Sequence, residues 1–315
     1  MTLKRIIDLL CRPLSLWPCA AARARATRPY AICLLLSLWL YPAALIAAEQ
    51  PDVRPIRIGL TAVFLDDQVA FTNWWRDYLE RRLGRPVKFV QRSSYREIID
   101  MLRQEKLEFA WLCGYPYVQH RTRMRLTAVP LFRGKPLYQS YLIVPAADTQ
   151  TRSLFDLRGK IFAYSDPDSN SGYLYPQYLL LQQGVQPADF FVKSFFTWSH
   201  RKVVEAVAVG LAQGGAVDSY VWETLARTYP DLTAKTRVVN KSPEFGHPPF
   251  IAGTAATEQE VAIMRQTLLA MAADVEGARL LLRLNLDGFV RGDDSLFAPI
   301  SRMAQLVEKK RNAPD

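Results

Sequence analysis

Apolar positions along the chain switch repeatedly between a strand-like and a helix-like period. Ile56-Arg-Ile-Gly-Leu60 reads as a short buried strand. Phe71, Trp74, Trp75, Tyr78, Leu79 and Leu83 then recur at helical spacing, and Gly84 ends that helix. Val87–Val90 is a second strand, Ile98, Ile99 and Leu102 mark a second helix, and Phe109-Ala-Trp-Leu112 is a third strand ahead of Gly114-Tyr-Pro-Tyr-Val118. Strand–helix–strand order at this spacing predicts parallel pairing with right-handed crossovers. The rhythm breaks at 126–132 and 139–144, which read as neighbouring strands without a helix between them.

A second α/β run follows. Ile161–Tyr164 is a strand, and a helix begins near Gly172 and runs to Gln182. Phe190–Phe196 reads as a strand, Val203, Val204, Val207 and Leu211 as a helix, Gly215-Ala-Val217 as a strand and Tyr220–Tyr229 as a helix. Arg237-Val-Val239 closes the run, 243–249 is a proline-rich loop, and the tail is helical through Val261, Met264, Leu268, Leu280, Ile300, Met303 and Val307. The pattern predicts two α/β lobes. The first takes residues 49–140 and 251–315 and the second 141–250, so the chain crosses near 126–144 and 243–250. Open α/β sheets bind ligands beyond the carboxyl ends of their strands, so the lobes should face a shared cleft.

The first 48 residues carry six of the 40 basic side chains and one acid, Asp8. An apolar run from Ala31 follows Arg28, Pro42 breaks it, and Ala43–Ala48 supplies small residues before Glu49. That is the order of an export signal and its cleavage site, with a retained membrane anchor as the alternative. It predicts a periplasmic protein. Cys11, Cys19 and Cys33 fall in this leader, so only Cys113 would remain and no disulfide could form; beside Trp111 and Leu112 it reads as a small buried hydrophobe. Beyond residue 48 there are 34 basic and 29 acidic side chains without a long basic block, which speaks against nucleic-acid binding.

The chemistry concentrates at Asp166-Pro-Asp-Ser-Asn-Ser-Gly172. Proline is tolerated in a helix only near its start, so Pro176 places the helix beginning close to Ser171 or Gly172. Free N–H groups, the hydroxyls of Ser169 and Ser171 and the amide of Asn170 then converge on the positive end of a helix, and Gly172 leaves room for close approach. Ser, Asn and Asp also serve as ordinary N-caps, but one would suffice for that. Ser199 and His200 end another strand, and Asp218 ends a third; in a parallel sheet the three strand ends are adjacent. There is no Walker A loop, no metal-ligand spacing among His120, His200 and His247, and no Gly-x-Ser-x-Gly elbow to support a Ser171–His200–Asp218 hydrolase. We therefore expect neither enzyme activity nor a metal or other cofactor.

Three stretches together resemble the periplasmic phosphonate/phosphite/phosphate-binding family of ABC-transporter solute receptors. They are Asp166–Leu174, Ser199-His200 with Val203–Gly210, and Gly214-Gly-Ala-Val-Asp-Ser-Tyr-Val-Trp222; Phe109–Val118 adds a fourth similarity. The likeness runs from about Ile56 to Leu282. Arg201, Gln213-Gly214 and Gly246-His247 depart from the family pattern. The resemblance implies a two-lobed type II periplasmic-binding-protein fold, with a mixed sheet flanked by helices in each lobe. It implies capture of a small oxyanion and delivery to an inner-membrane ABC permease; signalling to a membrane sensor kinase is the alternative. Ser169, Asn170, Ser171, Gly172, Ser199, His200 and Asp218 would line the site, with Tyr115 or Tyr117 closing from the first lobe. Asp218 would favour an anion that bears a proton over sulfate, and a charged His200 would add attraction.

Overall fold

A computed structural model describes residues 54–61 and 69–312; the expected leader, 1–48, and its three cysteines lie outside them. Among the described residues no helix is long and apolar enough to cross a membrane.

The chain builds β1 (Ile56–Leu60), α1 (Val69–Leu83), β2 (Val87–Gln91), α2 (Tyr95–Arg103), β3 (Phe109–Trp111) and α3 (Gly114–His120) in strict alternation. Gly84 closes α1 with φ +64°, a left-handed conformation suited to glycine. There follow β4 (Arg125–Leu131), β5 (Leu137–Tyr138), β6 (Ser140–Pro145) and β7 (Ile161–Tyr164), then the turn Asn170–Leu174 leading into α4 (Tyr175–Gln182). The second run continues with α5 (Pro187–Phe190), β8 (Lys193–Phe196), α6 (His200–Ala208), β9 (Gly214–Asp218), α7 (Ser219–Thr228), α8 (Pro230–Thr233) and β10 (Thr236–Lys241). The tail holds β11 (Phe245–Gly246), β12 (Phe250–Ala252), α9 (Glu258–Ala270), α10 (Val275–Leu284), β13 (Gly288–Val290) and α11 (Ala298–Arg311).

One sheet has the order β13-β4-β12-β3-β1-β2 and the other β10-β6-β9-β7-β8. The expected parallel core is present in both: β1 pairs in parallel with β2 and β3, and β7 with β8 and β9. Antiparallel strands extend each sheet, giving the mixed sheets of a type II fold. β4 and β6, separated only by the two-residue β5, enter different sheets, so the chain crosses between them. It returns through 243–249, where Phe245 and Gly246 pair with Tyr138 and Leu137 in a two-stranded ribbon.

Several sequence expectations need correction. Residues 190–196 are not one strand: Pro187 starts a short helix, and only 193–196 pair with β7. Phe250–Ala252 and Gly288–Val290 are strands hidden in a tail that reads as helical. Three residues are too few to display a period, and β12 is fully buried between β3 and β4. The last helix does not simply rejoin the first lobe. α11 packs on α3 from the first sheet's side and on α4 from the second's.

Candidate functional site

Tyr164, Phe196 and Asp218 are the last residues of the three parallel strands β7, β8 and β9, and the segments that leave them share one end of the second sheet. After β7, Ser169 caps the next turn by accepting the Gly172 N–H at 3.0 Å. The turn is wound in the wide π manner: Leu174 N–H reaches Ser169 O at 2.9 Å, five residues back. Pro176 explains part of this. It has no N–H, so carbonyls four and five residues back lack an intrahelical donor. Gly172 O instead takes the Ser165 N–H at 3.3 Å and Ser171 O takes the Ser140 hydroxyl at 2.7 Å. The turn is thereby tied to β7 and β6. Gly172 is required sterically, since a Cβ there would stand 1.9 Å from Ser165 Oγ and 3.0 Å from His200 Cε1.

His200, the first residue of α6, is fully buried. Its Nδ1 accepts the Asp218 N–H at 3.1 Å and its Nε2 lies 3.3 Å from Ser169 Oγ. Burial depresses its pKa to about 3, so the ring is neutral and the expected charge attraction is not realised. Asp218, 1 % exposed, caps α7: Oδ1 accepts Tyr220 N–H at 2.8 Å and Val221 N–H at 3.4 Å. Burial raises its pKa to about 8, partly offset by those two bonds. The geometry does not form a hydrolase triad. A triad histidine donates its Nδ1 proton to the acid, whereas here Nδ1 receives a proton from the backbone of Asp218.

The first lobe supplies groups not singled out as site residues from sequence. Tyr138 of the connecting ribbon accepts the Asn170 side-chain N–H at 2.9 Å, with Ser171 beside the same hydroxyl. Cys113 is buried as expected, yet it also accepts the Asn170 backbone N–H at 3.2 Å across the cleft. The Tyr95 hydroxyl, Ser165 Oγ, Asn170 Oδ1 and Ser171 Oγ are buried without a well-formed hydrogen bond. Such groups are costly when left unmade; the oxygens of an anion would accept from the three hydroxyls, and a proton carried by the ligand would serve Asn170 Oδ1. Among the described residues no lysine or arginine hydrogen-bonds to these groups; at the rim Arg96 donates to Asp168.

Three expected site residues are not in this cluster. Ser199 is half-buried and its hydroxyl caps nothing. Tyr115 is half-buried at the rim, in the field of Arg311, Asp168 and Tyr173. Tyr117 faces elsewhere: its hydroxyl hydrogen-bonds Asp294 and its ring packs on Phe297 at 5.0 Å. Residues two apart on a helix point to nearly opposite sides, so Tyr115 and Tyr117 cannot both serve the cleft.

Residues 58–297 match the family model described as ABC transporter, phosphonate, periplasmic substrate-binding protein. The chain belongs to this family. Among curated relatives, the phosphate-import protein PhnD of Mycolicibacterium smegmatis is 28% identical over 227 residues, 68% of each chain. The phosphonates-binding periplasmic protein of Escherichia coli is 25% identical over 87% of this chain and 81% of its own. The fold is shared with a solved binding component of an ABC phosphonate transporter from Pseudomonas aeruginosa, at TM-score 0.75 and 23% identity over 82% of this chain and 88% of that one. PhnD1 of Prochlorococcus marinus, solved with methylphosphonate, superposes at TM-score 0.71 with 20% identity over 82% of this chain and all of that one. For this member of the phosphonate-binding family, the buried cluster between the sheets is the candidate ligand site.

Proposed function

We propose that the protein captures a small tetrahedral oxyanion of the phosphonate, phosphite or phosphate class between its lobes and delivers it to an ABC permease for uptake. One observation carries this reading. The turn Ser169–Gly172, His200 and Asp218 meet in one buried cluster with Tyr95 and Tyr138, and several of its polar atoms lack well-formed hydrogen bonds. A tetrahedral anion has many acceptors and needs only neutral donors around it when these are fixed in advance.

Asp218 sets the proton content of the site. One proton shared between its raised carboxyl and the ligand suits phosphate-like anions, which take up and release protons near neutral pH. Sulfate brings none. Export through residues 1–48 and a periplasmic location belong to the same proposal and agree with the family description.

A thermal-shift series on the purified protein tests it, with phosphate, phosphite, methylphosphonate, sulfate and a sulfonate. A ligand that binds only the folded state raises the midpoint by mass action. A rise with at least one phosphorus oxyanion, and a smaller rise with sulfate, is expected. No shift with any phosphorus oxyanion would refute the proposal.

A further inference from the structure

The Ser-Asn-Ser turn is flanked by two acids, Asp166 and Asp168, whose charge would oppose an anion if they faced it. They are 1 % and 4 % exposed, and both are directed at the opposite lobe. Asp166 Oδ2 accepts the N–H of Tyr95, the first residue of α2, at 3.0 Å, while its Oδ1 accepts the Asp168 N–H at 2.8 Å. Asp168 Oδ1 meets the Arg96 guanidinium at 3.0 Å. The acids thus occupy the positive end of α2, where negative charge is favoured. Ser94, the helix's own cap, uses its hydroxyl on Glu97 N–H and leaves the Tyr95 N–H for another acceptor. The carboxylates of one lobe complete a helix start in the other, and only a closed cleft permits it.

We infer that Asp166 and Asp168 are positioning residues, an interlobe clasp that holds the anion-binding turn against α2 and so lengthens the stay of a captured ligand. The clasp keeps Tyr95 beside the turn, because Tyr95 is the residue whose N–H is held. Its effect on a ligand rests on the proposed function; its effect on lobe opening does not. Cys113 reports opening directly, since it lies 1 % exposed beneath the Asn170 N–H across the cleft.

The test is the alkylation rate of Cys113, read by peptide mass spectrometry on the full chain without ligand. Asp166→Ala removes a buried charged acceptor and should speed alkylation about tenfold. Arg96→Ala lies at an exposed helix start and should speed it about threefold with an unchanged thermal midpoint. Exchanging the pair, Arg96→Asp with Asp168→Arg, should bring the rate back toward wild type. Stopped-flow dissociation of methylphosphonate should accelerate by similar factors. Wild-type alkylation rates in both single variants, or an exchange no better than Arg96→Ala alone, would overturn the clasp. A wild type that binds no phosphorus oxyanion would count against the proposed function, and the alkylation rates would still decide the clasp.

Discussion

The backbone N–H of Asp218 donates to Nδ1 of His200 at 3.1 Å, and this bond sets the state of the ring. A backbone N–H can only donate, so Nδ1 must accept and the neutral imidazole carries its proton on Nε2. That proton faces Ser169 Oγ, which already accepts from Gly172 N–H. The serine's own hydrogen is left for a ligand. The order from β9 to His200 to Ser169 therefore aims a donor without using a positive charge.

The same burial has a consequence for stability. An unfolded histidine takes up a proton near pH 6.5, whereas folded His200 does so only near pH 3. Between those values the unfolded chain binds more protons, so stability falls as pH falls. His247, buried and likewise held near 3, acts in the same direction. Thermal midpoints should decline from pH 7 to pH 4. His200→Gln should flatten the corresponding unfolding free energy by up to about 1.4 kcal/mol per pH unit. Denaturant titrations across that range would expose an error if the variant's slope matched wild type.

Asp218 works in the opposite direction. Its carboxyl is raised to about 8 from an ordinary 3.8, so the folded chain holds the extra proton between those values. The stability it contributes is complete at low pH and lost as pH rises through that window. Asp218→Asn keeps an oxygen for Tyr220 N–H and Val221 N–H, and should melt higher than wild type at pH 8 to 9 with little difference at pH 4. Above pH 8 wild type is ionised and should reject sulfate more strongly relative to methylphosphonate, a trend that calorimetry should find missing in the variant.

Two serines two residues apart separate folding from binding. Ser169 caps the turn and receives His200, so Ser169→Ala should cost about 1 kcal/mol of stability as well as affinity. Ser171 Oγ lies beside the Tyr138 hydroxyl without a well-formed hydrogen bond, and Tyr138 keeps the Asn170 amide as partner, so removing Ser171 Oγ strands little in the empty protein. Ser171→Ala should leave the thermal midpoint within a degree or two and weaken anion binding by about 1–3 kcal/mol. Equal losses of stability in both variants would argue against this division of roles.

The second-lobe half of the cluster was legible because its residues are contiguous. Asp166–Gly172 is one polar run beside a strand, and His200 and Asp218 each stand where an apolar strand hands over to a helix. The first-lobe half was not. Tyr95 is the first apolar position of an amphipathic helix, Tyr138 sits in a two-residue ribbon and Cys113 adjoins an apolar strand. Each looks like core, and only the closing of one sheet on the other turns it toward the turn. Tyr117 misled for the converse reason. An aromatic after a strand suggests a lid, but its partner Asp294 is distant in sequence, and no local pattern reveals it.

Gly172 is the strictest point in the site. A methyl group there would meet Ser165 Oγ at 1.9 Å and Ser165 Cβ at 2.7 Å. A rotamer change moves the oxygen away and leaves the Cβ clash, and Ser165 is fully buried with its N–H held by Gly172 O. Gly172→Ala should thus destabilise the protein by about 1–3 kcal/mol, as overpacking does, and push the turn off Ser140 and His200. Adding Ser165→Gly removes both clashing atoms and should recover most of the lost stability. Chemical denaturation of the single and double variants provides the measurement. If the double variant is no more stable than Gly172→Ala, contact with Ser165 is not what confines position 172 to glycine.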